Sequence, residues 1–299
     1  MNRRRFLESA GLVAATTLSA QTPAPRPSAK SKITTSVVLD ILGGTIDQEL
    51  DIAAGGGCDS MMMLAQYAPW SDADVARVKK FSQSHKIPMH ALMAQYDWKK
   101  RPVSIVDPKH REGFLSDIKT AIGFAQRFEM TQLVVTSGLR AKDVSDEQMY
   151  ASLTEGVKRA ADMVAAANFT LLVEPLNSLI DHPGCFLTSC VDGLKLVKEI
   201  NHPNVKLLFD VYHEQVMRGN VINSLKAAMP LVPIIHIADN PGRNDPGTGE
   251  LNFANVYKAI SDTGFSGHIA MEYKPLGEPV ASMSKSIKTL RAAFSGVAS

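Results

Sequence analysis

Phe169-Thr-Leu-Leu-Val-Glu174, the amphipathic segment Thr188–Ile200 and Val205-Lys-Leu-Leu-Phe-Asp210 spell out one strand–helix–strand unit. Both apolar runs have strand length, and the segment between them places its apolar residues three and four apart, on one helical face. A helix joining two such strands indicates a parallel crossover, because parallel neighbours need a connection of a dozen or more residues. The unit recurs in both directions along the chain. Strand-like runs are Ile33–Leu42, Cys58–Leu64, Ile87–Met93, Gln132–Thr136, Phe169–Val173, Val205–Val211, Ile234–Ala238 and His268–Met271. Helix-length segments between them include Asp72–Ser84, Arg111–Phe128 and Asp146–Ala167. In the last of these, Met149, Leu153, Val157, Ala160, Ala161 and Val164 share a face. The weakest helical segment lies between Leu42 and Cys58, where Gly55, Gly56 and Gly57 end it abruptly.

Eight such strands in the stretch from residue 31 to residue 299 predict a single closed (β/α)8 TIM barrel, whose usual size is about 250 residues. A doubly wound open sheet is the alternative. It is disfavoured because no Gly-x-Gly-x-x-Gly follows the first strand, and the Gly55–Gly57 run precedes a strand instead of following one. The phosphate-binding Gly-x-x-x-x-Gly-Lys-Ser/Thr loop and the Gly-x-Ser-x-Gly nucleophile elbow are also absent from the sequence.

The chain has 45% hydrophobic and 21% charged residues, an ordinary globular composition. Its net charge of +2 is unevenly placed: residues 1–30 hold five basic side chains against Glu8, which leaves the remainder at −2. Such a body lacks the basic surface on which counterion-release binding to nucleic acid depends, so no nucleic-acid partner is expected. Residues 1–30 read as an export signal and Pro-rich linker: Arg3, Arg4 and Arg5, then a modest apolar run from Ala10 to Ala20, then Thr22–Ser28. Asn2-Arg-Arg-Arg-Phe-Leu7 resembles a twin-arginine signal, which implies the twin-arginine export machinery as a partner and a periplasmic destination. The apolar run is about half the ~20 residues a membrane span needs, so no stable anchor is expected. Cys58, Cys185 and Cys190 form neither a disulfide framework nor a zinc motif and read as buried thiols, although Cys185 and Cys190 are close enough in sequence to pair.

The last four strands each finish on a side chain able to bind a metal: Glu174, Asp210, His236 in Ile-Ile-His-Ile-Ala-Asp239, and Glu272 in Ala-Met-Glu-Tyr-Lys-Pro275. In a barrel, C-terminal strand ends converge on the face that carries active sites. An ionised group buried alone at the end of an apolar strand costs several kcal/mol, so four of them in register are best explained by a shared cation. Three carboxylates and one imidazole suit Mn²⁺ or Mg²⁺, with Co²⁺ able to substitute. Met61, Met62 and Met63 read as core filling.

Glu174-Pro-Leu-Asn177, Asp210-Val-Tyr-His213, the long Asp239–Asn252 loop and Glu272-Tyr-Lys-Pro275 closely resemble the hydroxypyruvate isomerase family, a branch of the xylose isomerase-like barrels that also includes the tagatose 3-epimerases. The resemblance is strong from Ser104 to Arg291 and looser from Ile33 to Lys99. It implies a divalent metal on Glu174, Asp210, His236 and Glu272, with Glu174 and Glu272 as proton donor and acceptor. His236 stands where many hydroxypyruvate isomerases carry Gln, and His is the epimerase-like choice. His213 would lie beside substrate oxygens, and Arg243 offers a fork for a substrate carboxylate or else a solvated loop arginine. Lys274 follows a ligand and is read as pointing to the other side, with a structural role. The turn-rich loop from Pro241 to Gly249 could cover the site or pack against a second copy of the chain in a homo-oligomer.

The expected activity is isomerisation of a small hydroxy-keto acid or sugar through a cis-enediolate, in the first place hydroxypyruvate to tartronate semialdehyde. A ketose 3-epimerase is the rival enzyme, and a non-catalytic periplasmic protein binding sugar acids or metal is the rival of another class. Retention of both glutamates favours catalysis. A related apurinic endonuclease is disfavoured by the near-neutral body and by the lack of extra metal ligands on the early strands.

Overall fold

Eight parallel strands close on themselves in the computed structural model, each hydrogen-bonded to the next in chain order and the eighth to the first. The structure describes residues 32–65, 67–95 and 103–295, so the proposed signal segment lies outside the described residues. The strands are β1 (Lys32–Val38), β2 (Ser60–Met63), β3 (Met89–Met93), β4 (Gln132–Thr136), β5 (Thr170–Glu174), β6 (Val205–Asp210), β7 (Ile234–Ile237) and β8 (Ser266–Met271). Around them lie α1 (Ile46–Gly55), α2 (Asp72–His85), α3 (Arg111–Gln126), α4 (Asp146–Ala166), α5 (Cys190–Ile200), α6 (Val211–Met217), α7 (Val221–Ala228), α8 (Phe253–Asp262) and α9 (Pro279–Ser295). This is the single (β/α)8 barrel that the strand–helix alternation predicts.

Two boundaries differ from the expected ones for local reasons. The first strand stops at Val38, because Asp40, Gly43 and Gly44 take positive φ and turn the chain. The weak segment after it does form a helix, since Thr45 and Gln48 build a reciprocal capping box that satisfies its first N–H groups. Ser71 and Ser145 start α2 and α4 in the same way.

Inside the barrel the two-residue period of each strand stacks the inward side chains in layers. The middle layer is apolar and includes Val38, Met62, Ala91, Val134, Leu172, Leu208, Ile234 and Ala270. Two residues further along the last four strands, on the same face, come Glu174, Asp210, His236 and Glu272. Two residues before the middle layer come Ser36, Ser60, Gln132, Thr170, Lys206 and His268, a polar layer at the opposite mouth. The expectation that the methionine run fills the core holds: Met61, Met62 and Met63 are all fully buried. Cys58, Cys185 and Cys190 are buried free thiols, so the pairing of Cys185 with Cys190 is not formed.

A register shift opposite Met61 and Met62 turns His90 of β3 inward as well. Its ring stacks on that of His268, with centroids 3.6 Å apart and planes 7° from parallel. Ser36 Oγ lies 2.9 Å from His90 Nε2, and Ser60 Oγ lies 3.1 Å from His268 Nδ1. Burial holds both imidazoles neutral, taking His90 well below its ordinary value of 6.5 and His268 down from 6.5 to about 4. Between those limits the unfolded chain takes up a proton at His268 that the folded chain refuses. This part of the stability is therefore complete above pH ~6.5 and is lost as pH falls toward ~4, to the extent of about 3 kcal/mol. Urea unfolding of the metal-free protein at pH 7 and pH 5 should show a smaller loss in His268→Gln than in the parent. Equal losses would discard the assignment.

Candidate active site

Strand geometry alone gathers the four candidate ligands. Asp210 on β6 is the register partner of His236 on β7, Glu174 ends β5 opposite Thr136 of β4, and Glu272 follows the last residue of β8. Pro175 has no N–H to continue a ladder, so β5 stops with Glu174 at its lip. All four side chains are buried, and one potential ligand atom from each lies within 4.8 Å of the others. His236 turns Nδ1 toward the acids: 2.8 Å from Glu272 Oε2, 3.4 Å from Glu174 Oε1 and 3.9 Å from Asp210 Oδ2. Its Nε2 faces Met62 Sδ at 3.3 Å, so the middle layer orients the ring.

Arg243 completes the cluster and is no solvated loop residue, being only 8% exposed. Its Nη2 lies 2.7 Å from Glu272 Oε2 and 3.7 Å from Asp210 Oδ2, and its guanidinium sits 5.3 Å over the Tyr212 ring. The fork expected to meet a substrate carboxylate is thus partly engaged by the chain's own acids. Burial, with Glu272 as a near neighbour, pushes Asp210 up to about 7. Burial acts on Glu272 in the same direction, but Arg243 and His236 outweigh it and hold that carboxyl well below the usual carboxylate range. For His236 burial favours the neutral ring, yet Glu272 and Glu174 raise it to about 10.

Several buried polar atoms of this cluster have no hydrogen-bond partner. They include His236 Nδ1 and Glu272 Oε2, which are close to one another but misaligned, together with His213 Nε2 and Arg243 Nε. An unsatisfied buried group costs about 1–3 kcal/mol, and such groups are rare in folded chains. Four such atoms meet in this cluster, while others, Arg111 Nε and Tyr257 Oη among them, lie elsewhere. A divalent cation set among three carboxylates and Nδ1 would satisfy the ligand atoms, so the residues present fit such an ion.

His213 stands in the first turn of α6, where its N–H donates to Asp210 Oδ1 at 2.9 Å and its Nε2 lies 3.6 Å from Asp210 Oδ2. Burial and the nearby Arg243 keep its ring neutral, well below the ordinary histidine value. The loop carrying Arg243 is organised by a residue whose role the sequence did not reveal. The fully buried Asp239 carboxylate accepts N–H groups from Asn240, Gly247, Gly249 and Leu251 at 2.9, 2.7, 2.9 and 3.2 Å. Arg243 itself has φ of +56°, its carbonyl accepts the Lys274 N–H at 2.8 Å, and Asn244 Nδ2 donates to the Lys274 carbonyl at 2.8 Å. The Lys274 side chain is exposed, as expected, but because β8 has ended at Met271; strand alternation would have put it on the side of Glu272. Asn177 and Asp181, also unassigned from sequence, lie behind His213. A usable signal was present: Asn177 stands three residues after Glu174, the offset of His213 from Asp210.

Residues 50–293 match the family described as xylose isomerase-like TIM barrel. The chain is 33% identical over 208 residues to hydroxypyruvate isomerase of Escherichia coli, covering 68% of this chain and 80% of that protein. It is also 33% identical over 168 residues to 2-oxo-tetronate isomerase of Cupriavidus necator, covering 56% of this chain and 64% of the relative. Among solved structures, one described as an AP endonuclease of family 2 from Brucella melitensis superposes with a TM-score of 0.76 at 23% identity, over 86% of this chain and 98% of that one, a likeness of fold. A barrel of this topology, with that extent of identity to named isomerases, belongs to the hydroxypyruvate isomerase family of the xylose isomerase-like TIM barrels, and the chain is an isomerase.

Proposed function

We propose that this isomerase acts on a small hydroxy-keto acid, with hydroxypyruvate to tartronate semialdehyde as the first reaction to test, and that it uses a divalent ion, Mn²⁺ or Mg²⁺, held by Glu174, Asp210, His236 and Glu272. The observation that carries this reading is the convergence of four buried ligand atoms, two of them unpartnered, in a chain related to hydroxypyruvate isomerase and 2-oxo-tetronate isomerase. When bound, such an ion supplies Lewis-acid polarisation of a substrate carbonyl. The side chains supply the rest. One of the two glutamates removes the proton from the carbon bearing the hydroxyl, the hydroxyl proton passes to the neighbouring oxygen, and a carboxyl returns a proton to the former carbonyl carbon. His213 Nε2, buried and unpartnered, is placed to donate to the oxygen on which charge develops. The test is a metal-reconstituted assay of hydroxypyruvate and of free ketoses, followed by NMR for isomer formation and solvent-deuterium uptake.

Arg243 decides between the two enzyme readings. If it also receives a substrate carboxylate, Arg243→Ala should raise KM for hydroxypyruvate about tenfold to a hundredfold and change KM for a neutral ketose little, since a charge-assisted fork contributes about 1.5–3 kcal/mol. Equal effects on both would favour the ketose 3-epimerase, which predicts exchange at carbon 3 in D₂O without an aldehyde product.

We also propose that residues 1–30 direct twin-arginine export to the periplasm, a reading supported by the order of arginines, apolar run and Pro-rich stretch. Changing Arg3, Arg4 and Arg5 together to lysine should retain the protein in the cytoplasm. Undiminished periplasmic recovery would end the proposal.

A further inference from the structure

Asn177 lies in the turn that leaves β5, and its side-chain amide has one permitted orientation. Its Oδ1 accepts the backbone N–H groups of Ile180 and Asp181 at 3.0 and 2.9 Å. Turning the amide over would set an NH₂ group against two N–H donors, so the nitrogen must be the end that faces the site. Both protons of that nitrogen are then assigned: one is donated to Asp181 Oδ2 at 2.6 Å, the other to His213 Nδ1 at 2.7 Å. A ring nitrogen that accepts a hydrogen bond carries no proton. His213 must therefore hold its single proton on Nε2, the buried atom without a partner that faces the metal-ligand cluster.

We propose that Asn177 is a positioning residue that fixes His213 as the Nε2–H tautomer, so that the ring offers the substrate oxygen a donor and never a lone pair. The proposal rests on the reading above, in which charge develops on that oxygen. A ring in the other tautomer would present a lone pair at the same point and oppose the reaction. The turn after β5 needs only the Oδ1 bonds. The bond from Nδ2 to the imidazole is additional to the turn, and it is the part that bears on chemistry.

Long-range ¹H–¹⁵N correlation on the full chain labelled with ¹⁵N-histidine, at one fixed pH, reads the tautomer directly, with His213 identified by its absence from the His213→Gln spectrum. The parent should show His213 with Nδ1 unprotonated and Nε2 protonated. Asn177→Asp replaces the donor by an acceptor and should move a proton onto Nδ1, with kcat down at least ~10-fold and metal content unchanged. Asp181→Asn leaves the Asn177 donor in place and should keep the parent pattern. A parent ring protonated on Nδ1, or an Asn177→Asp protein with the parent tautomer, overturns the assignment. A changed tautomer with unchanged kcat overturns the positioning role. Should Asn177→Asp fail to fold, the parent and Asp181→Asn spectra still decide the tautomer. These spectra hold even if every assayed substrate proves wrong, which separates this proposal from the activity on which it rests.

Discussion

Glu174→Gln and Glu272→Gln should each lower turnover by at least ~10²-fold, the contribution usual for a positioned acid or base. Glu174 reaches the cluster from β5 and Glu272 from the end of β8, and the His236 Nδ1 lies between them at 3.4 and 2.8 Å. Carboxyls so placed can bracket a flat enediolate, and neither can substitute for the other. Metal should be partly retained in both variants, because an amide oxygen can still coordinate. Their stabilities should differ. Glu272 is the countercharge of both Arg243 and His236, whereas Glu174 has the longer contact to His236 and no ion pair with Arg243 among the described residues. Glu272→Gln therefore removes the nearer carboxylate of a buried guanidinium and leaves it only Asp210 at 3.7 Å, a class of change that costs up to about 3–5 kcal/mol. Glu174→Gln should cost clearly less. Turnover measured beside urea midpoints of the metal-free proteins tests both parts: parent-like turnover in either variant removes that glutamate from the mechanism, and equal midpoints remove the asymmetry.

The second large effect is expected at Asp210. With its carboxyl pushed up to about 7 by burial and by Glu272, the metal-free parent opposes its own ionisation at neutral pH. Asp210→Asn removes the charge, keeps an oxygen for the His213 N–H, and should raise the melting temperature of the metal-free protein while only weakening metal binding, whereas Asp210→Ala, which offers no oxygen, should abolish stoichiometric Mn²⁺ or Mg²⁺. The parent should show the opposite response to metal. An ion at a hundred times its Kd stabilises by about 2.7 kcal/mol, a gain of several degrees in a chain of this size. Elemental analysis and thermal melts with and without Mn²⁺ check the pair of outcomes, and full occupancy in Asp210→Ala would exclude Asp210 as a ligand. The two outcomes together would set metal binding against stability at one residue.

The barrel was legible because its strands alternate with helices at regular spacing, and the buried quartet of candidate ligands because each member interrupts an apolar run at the same point. Period two then fixes the side of the strand, which is why Leu172 and Glu174, or Leu208 and Asp210, share the interior. Three features escaped. The inward turn of His90 depends on a register shift between neighbouring strands, which a single strand does not encode. The commitment of Arg243 to Glu272 depends on loop closure across 29 residues, and a loop arginine in a sequence has no marked partner. Asp239 looked like one more polar residue in a turn-rich stretch. Its function lies in backbone N–H groups up to 12 residues away, and these leave no trace in side-chain pattern.

That carboxylate has a consequence for how substrate choice can change. Four N–H groups spread from Asn240 to Leu251 meet on one pair of oxygens, so their spacing along the chain is as much a part of the site as the identity of Arg243. Insertion or deletion of a single residue there would carry at least one N–H out of reach and withdraw the guanidinium from the pocket. Selection for new substrates is accordingly channelled toward exchanging side chains on a loop of constant length, with the frame inherited intact.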